Sequence, residues 1–582
     1  MAMRIPVLLI LVLTASGARA APEWVARSNA YAAPILEDTG RFNPEYASRS
    51  GNDKFDTDVV DLGPRIEERV VARLEERLAQ ARDERAREQD PRVREDLDIT
   101  IAMLERQLEG EHTRHDLLFT YYDAAAVVNS GLMPLLDARN KPERQARALV
   151  RIRRYAGLEP GYAPVATLAR ARTEEELARP GTIGPYGDEL RQGLDNTDFF
   201  LKGIAQRLRE DGLSGWEKDF DVLAGQLREY REWARRTVLP RARTQVRLPP
   251  RIYALQLRQA GVDASPEEIL DRASADFQEV RAEVRRAAIE VARVRGLPSS
   301  DYRDVIRALK KAQVPPDEMV ELYRARLREA EAIIRREKLV TLPQRAAAIR
   351  AATEAESAAV PAPHMSAPRL LGNTGEYGEF LITLSNPHAK SGAPLDDFAF
   401  DAAAWTITAH EARPGHELQF ASMVEQGVSI PRALFAYNNA NVEGWALYAE
   451  SIMEPYFPPE GRLVALQYRL LRIARAMLDP MVNLGRMTPA QAKAVLMDDV
   501  VISEPFAQEE VDRYAFWAPG QATSYYYGFQ KLRALRTRLE LALGPRFDAG
   551  RFHDFVIAQG LLPPPILERA VMEQFVPGQL AR

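Results

Sequence analysis

The sequence predicts a mainly α-helical protein, a large multi-helix single unit with a small β element near residues 379–385. Three observations predict it. Apolar residues recur at helical spacing through most of the chain. Only one short stretch, Glu379 to Ser385, reads clearly as a strand. No repeat of fixed period and no low-complexity linker separates domains, although 582 residues alone would favour several.

The elements are read in chain order. Residues 1–20 combine the basic Arg4, an apolar run from Pro6 to Thr14 and the small-residue site Ala18-Arg19-Ala20. This is the pattern of a cleaved secretory signal, so a periplasmic or secreted location is expected. No cysteine follows it to carry a lipid. Residues 21–63 read as irregular, with Pro, Gly, Asn and Asp scattered among aromatic positions. Ile66, Val70, Leu74 and Leu78, then Leu97, Ile101, Leu104 and Leu108 after Pro91, predict two long amphipathic helices. Further helices are expected at about 144–156, 172–180, 186–210 and 217–236. From Pro266 to Lys338 a charged helical stretch is broken near Gly296–Pro298 and Pro315–Pro316, with Ser265 placed as an N-cap. Residues 21–360 therefore read as helical scaffold and 361–582 as the catalytic part. The latter holds the strand and helices at about 400–413, 433–454, 460–480, 488–500, 507–515 and 522–543.

Composition narrows the function. Lys and Arg number 78 against 83 Asp and Glu, a net charge of −5, which argues against a nucleic-acid binder. No later apolar run is long enough for a membrane span. There are no cysteines, so thiol nucleophiles, iron–sulfur centres and Cys-ligated zinc are excluded, and any metal must be held by His, Asp or Glu. Of the seven histidines, His112 and His115 sit on a charged helix, and His364 and His388 in Pro-rich loops, where surface positions are expected.

His410-Glu411-Ala412-Arg413-Pro414-Gly415-His416 is the densest motif. A His-Glu pair followed by a second His fits metal-dependent hydrolysis, with two imidazoles on one ion and the Glu as base. The usual spacing is four residues. Here it is six, a rotation of about 240° on a regular helix, so a straight helix could not bring both rings to one ion. Pro414 and Gly415 predict a local break that returns His416 to His410. Glu443, in Asn441-Val442-Glu443-Gly444-Trp445, supplies a carboxylate ligand from a buried-looking helix. Glu450, two turns on, either orients a ligand or pairs with an Arg. Two His and one carboxylate also form the triad of non-haem Fe(II) enzymes, and a non-catalytic helical protein could keep such a metal. Glu411 beside the first ligand argues against both.

HEARPGHELQ followed by EGWALYAE resembles the bacterial "domain of unknown function 885" family, taken as zinc metallopeptidases. Glu510 to Tyr514, Ala518 to Gly528, Arg551 to Asp554, Asn43-Pro44-Glu45 and Asp61-Leu62-Gly63 agree with it. Glu417 and Tyr526-Tyr527 depart from its pattern. The resemblance implies a helical fold related in plan to thermolysin-like and oligopeptidase-type zinc peptidases. It also implies one Zn²⁺ on His410, His416 and Glu443, with Glu411 as general base, and a helix-walled channel would favour short peptides over folded proteins. Tyr525 and His553 are the expected donors to the oxyanion. Arg513 and Tyr514 are expected to clamp a substrate carboxylate. The strand at 379–385 is expected to pair with an extended peptide, with Tyr377 and Asn386 bordering the cleft.

Overall fold

A computed structural model of the chain describes residues 22–353, 356–357, 360, 362–373, 375–384 and 395–581. The expected signal segment and Asn386 lie outside them. The protein is mainly α-helical, with one three-stranded sheet among the described residues.

The stretch expected to be irregular, 21–63, is largely helical. Helices span Glu23–Phe42 and Pro44–Arg49. Val25, Ser28, Ala32 and Ile35 are buried one turn apart, and this stripe holds the first helix together through Pro34. The two predicted amphipathic helices are Ile66–Arg87 and Pro91–Leu117, packed on each other. Asp90 caps the second by accepting from the Arg92 N–H. A separate apolar core joins Leu62 and Phe119 to the helices Gly187–Glu210 and Glu217–Thr237. The predicted start at Ser265 is a full capping box, with Glu268 reaching back to the Ser265 N–H. That helix runs to Arg295 and stops at Gly296, whose φ is 62°.

The strand order is β1 (Ala348–Ala351), β3 (Glu379–Ile382), β2 (His364–Ser366). β1 runs parallel to β3, pairing Ile349 with Phe380, and β2 runs antiparallel, pairing Met365 with Phe380. β3 is thus central and paired on both sides. It has no edge for a peptide, and the expectation of strand addition there is overturned.

The helix Pro459–Asn483 is buried almost all round. It packs on Pro266–Arg295, Asp401–Ile407 and Thr523–Leu543. The largest core runs from Leu248 through Phe380 to Tyr527, and a second joins Ala32 and Leu104 to Trp445 and Phe575. The motif helices lie where these cores meet.

Candidate metal centre

The helix Asp401–Ile407 does not continue regularly into the motif. It passes into a π turn, Thr408–Ala412, and Arg413 then takes extended dihedrals of φ −127° and ψ 131°. A new helix begins at His416 and runs to Gln426. The predicted break is therefore real, and Gly415 is what permits it. A Cβ on Gly415 would stand 1.8 Å from the His410 carbonyl oxygen and 2.5 Å from that of Ala409. Arg413 fixes the turn from inside. It donates to Glu417 at 2.6 Å, to Glu331 at 2.6 Å and to the Arg345 carbonyl at 2.7 Å. Glu417, a departure from the family pattern, is thereby the counter-ion of a buried arginine. The Trp445 indole N–H donates to the Pro414 carbonyl at 3.0 Å. The His410 and His416 rings end 4.8 Å apart and nearly perpendicular, at 86°.

Glu443 comes from the helix Asn439–Met453, which packs closely on Thr523–Leu543. Gly444 and Gly528 make that approach: a Cβ on Gly528 would lie 1.8 Å from the Ala440 carbonyl oxygen. Glu443 Oε2 stands 3.4 Å from Nε2 of His410 and 3.4 Å from Nε2 of His416. This oxygen is buried and has no hydrogen-bond partner. The other nitrogen of His410, Nδ1, meets Glu450 Oε1 at 2.7 Å. Glu450 also accepts from Thr406 at 2.8 Å and from Arg472 at 3.3 Å, so it both orients a histidine and pairs with an arginine. Glu411 brings one oxygen to 3.8 Å from His410 Nε2, while its other oxygen accepts the Met365 N–H at 2.9 Å.

These atoms fit a divalent cation. Ligands on a tetrahedral zinc-type ion, with bonds of about 2.0–2.1 Å, stand about 3.3–3.4 Å apart. The two imidazole contacts of Glu443 Oε2 have that length, and its lone pairs meet no donor. His410, Glu411 and His416 also offer atoms within 4.8 Å of one another. Glu411 is already held by Met365, however, so the closer Glu443 is better placed as a third ligand and Glu411 stands beside the set. The electrostatics agree. Burial works against a charge on His410, yet Glu443 and Glu450 outweigh it and raise its pKa to about 9. Burial likewise opposes ionisation of Glu443, but the two histidines hold its pKa well below the usual carboxylate range. The cluster demands positive charge at its centre.

A cavity of about 310 Å³ opens on these residues. β2 forms part of its rim through His364 and Met365, which the sequence reading missed because a three-residue strand carries no periodic signal. Tyr525 lines the cavity with its ring parallel to His410 at 6.4 Å, and the Arg475 guanidinium packs on it at 4.5 Å. Burial, with the Glu443 charge, pushes the Tyr525 hydroxyl up to about 12. Arg472, Arg475 and Arg513 share this wall. The signal for the first two was present, since arginines inside an apolar helix are buried charges that need partners.

Three expected site residues stand elsewhere. His553 is 1% exposed and outside the cavity lining. Its Nδ1 meets the Leu339 carbonyl at 2.6 Å and its Nε2 meets the Tyr448 hydroxyl at 2.8 Å, so both nitrogens are used. Tyr514 is fully buried behind the wall and donates to Glu510 at 2.8 Å. Tyr377 is exposed, packs on Arg345 at 4.3 Å and borders a different cavity beside Arg139 and Arg369. Tyr526 and Tyr527 also have structural partners, Asp276 and the Asp263 carbonyl. No described helix is long and apolar enough to cross a membrane.

No curated protein sequence matches the chain. Two solved structures share its fold. One, described as a presumptive lipoprotein of unknown function from Shewanella oneidensis, is 19% identical with a TM-score of 0.72, covering 95% of this chain and 100% of that one. The other, described as a presumptive lipoprotein from Colwellia psychrerythraea, is 18% identical with a TM-score of 0.77, covering 95% and 99%. At the level of sequence, residues 44–571 match the family described as "Bacterial protein of unknown function (DUF885)", and the chain belongs to that family.

Proposed function

We propose that the protein is an exported, zinc-dependent hydrolase that cleaves peptide bonds in short peptides. The observation that carries this reading is the convergence of His410 Nε2, His416 Nε2 and an unpartnered Glu443 oxygen at 3.4 Å, with Glu411 alongside. Export is supported by the leader-like segment 1–20 and by the description of two proteins of the same fold as lipoproteins.

His410, His416 and Glu443 would hold the ion, which when bound would supply Lewis acidity that brings the pKa of a water toward about 7. Glu411, beside the ligand set, would serve as the base that takes a proton from the attacking water and returns it to the departing amine. The Met365 N–H keeps the Glu411 carboxylate turned toward the site. Glu450 fixes the ring of His410 through Nδ1, leaving Nε2 free for the ion. Tyr525, kept protonated by its raised pKa, offers an O–H to the oxyanion.

Glu411→Gln is the test. Turnover of a short peptide falls about 10³-fold while metal content, read by plasma emission spectroscopy, stays at one ion per chain. His416→Ala loses the metal as well. Undiminished peptide turnover by the Glu411→Gln protein would refute the mechanism. Turnover that proceeds without oxygen excludes an Fe(II) oxygenase on the same ligands.

A further inference from the structure

The cavity wall beside the metal centre gathers three arginines, Arg472, Arg475 and Arg513. Arg475 is bound bidentately by Glu510 at 2.6 and 2.8 Å. Glu510 also accepts from Tyr514, and Arg513 approaches the same carboxylate at 3.5 Å. Among the described residues this is the one ion pair of Arg513, so two guanidinium groups share one acid. Arg513 is 20% exposed, yet its Nη1 is buried without a hydrogen-bond partner, as is Nε of Arg472 on the same wall. A buried charged donor left unpaired is costly, which marks the place of an absent acceptor. Besides the metal-site acids Glu411 and Glu443, the cavity is lined by Glu509, whose pKa burial raises to about 7. A carboxylate that ionises several units lower is the stronger partner for Arg513.

The position of this charge matters as much as its sign. Arg513 opens a π turn, Arg513–Trp517, which is held by a hydrogen bond from Asn483 to the Tyr514 carbonyl. The Tyr525 ring neighbours both the arginines and the centre, 6.4 Å from His410 and 4.5 Å from the Arg475 guanidinium. Arg475 therefore lies no farther from His410 than those two distances together. An extended peptide covers about 3.5 Å per residue, so at most about three residues span the gap. At about 310 Å³ the cavity is at the small end of ligand pockets.

We infer that Arg513, supported by Arg472 and Arg475, anchors the free C-terminal carboxylate of the substrate, so that the protein removes residues from the carboxyl end of short peptides. This rests on the hydrolase reading above and names its substrate class. A bidentate guanidinium–carboxylate contact fixes both position and direction of the peptide.

The test compares acetyl-Phe-Leu with its C-terminal amide on the full-length, zinc-loaded protein. The free acid is cleaved with a kcat/KM about 100-fold higher, as expected for loss of a buried charged hydrogen bond. Arg513→Gln brings the ratio below about 5-fold, mainly by raising KM for the acid, while Arg513→Lys, which keeps the charge, retains at least about 10-fold. If Arg513→Gln fails to fold, the Arg513→Lys protein must still show a reduced ratio. Equal cleavage of acid and amide, or an unchanged ratio in the variants, overturns the proposal. So does equal cleavage of acetyl-Phe-Glu-amide, which would assign the site to a side-chain carboxylate. Calorimetric binding of both probes to the Glu411→Gln protein separates the two readings. Selective binding of the acid without any wild-type turnover keeps the anchor and removes the hydrolase. Turnover without selectivity keeps the hydrolase and removes the anchor.

Discussion

What a histidine does here is decided by the partners of its two nitrogens. His410 has Nδ1 committed to Glu450 and Nε2 bare toward Glu443. His553 has both nitrogens committed, to Leu339 and Tyr448, and burial lowers its pKa to about 4. The sequence placed both in the site, His410 as a ligand and His553 as a donor to the oxyanion, because a motif names residue types and not their partners. Tyr514 was misplaced for the same reason, since its neighbour Arg513 faces the cavity while Tyr514 turns to Glu510. The two imidazoles and Glu443 were legible because a close His pair and a carboxylate in an apolar helix are both costly without a shared purpose. The lowered pKa of His553 has a measurable consequence. The unfolded chain takes up the proton near the ordinary value of about 6.5, whereas the folded protein resists it down to about 4. The folded state therefore keeps its full stability above pH 6.5 and loses about 3 kcal/mol as pH falls toward 4. Urea unfolding between pH 7.5 and 4.5 is expected to show a flatter decline in His553→Gln than in the parent protein, with peptide turnover at pH 7.5 kept within about 3-fold. An equally steep decline would show that His553 does not carry this term.

At the scale of elements, the long helices were legible and the departures from regularity were not. Pro266–Arg295, Glu217–Thr237 and Pro459–Asn483 follow the apolar period closely. Glu23–Phe42 was hidden by Pro34 and Gly40, although its buried stripe of Val25, Ala32 and Ile35 has helical spacing. β1 and β2 are too short, and the sequence of β1 too rich in alanine, to signal strands. Both arms of the candidate site sit on π turns, Thr408–Ala412 and Arg513–Trp517, which shift the side chains that follow off the regular helical face. Periodicity alone cannot anticipate such a turn; Pro414 and Gly415 announced only the first. Gly415 is the element-level test. A side chain there collides with the carbonyls of Ala409 and His410, which are backbone and cannot swing aside. Gly415→Ala is expected to weaken zinc binding about 10–100-fold in a chelator competition, with the far-UV circular dichroism unchanged. Gly528→Ala forces apart the helices that bring Glu443 and Tyr525 together. A loss of about 1–3 kcal/mol in urea unfolding is expected. Parental stability in that variant would mean the two helices can part without cost.

Across the whole molecule, the proposed ligands come from segments that no single helix unites. His410 belongs to the end of one helical run, His416 starts the next, and Glu443 lies on a third that packs against Thr523–Leu543. These segments meet at the junction of the two largest cores. That meeting was not legible in the sequence, because which apolar faces join is set by packing between distant segments rather than by local pattern. The same meeting gathers Glu411, Glu443 and Glu450 around His410 in a buried space. The acids around His410 raise its pKa, so without an ion they favour a positive charge on that ring. A divalent ion in the same place would balance more charge and tie the three segments to one another. Since these ligands are brought together only by folding, an ion that binds them binds the native state and not the unfolded chain, and its binding energy becomes folding energy. At free zinc about 1,000 times the dissociation constant the stabilisation is about 4 kcal/mol. Urea unfolding of the zinc-loaded protein is therefore expected to need more denaturant than that of the chelated protein, by an amount that grows with the logarithm of free zinc. His416→Ala should remove the dependence on zinc. Coincident unfolding curves with and without chelator would mean that no ion spans these helices, and the assignment of His410, His416 and Glu443 as ligands would fall.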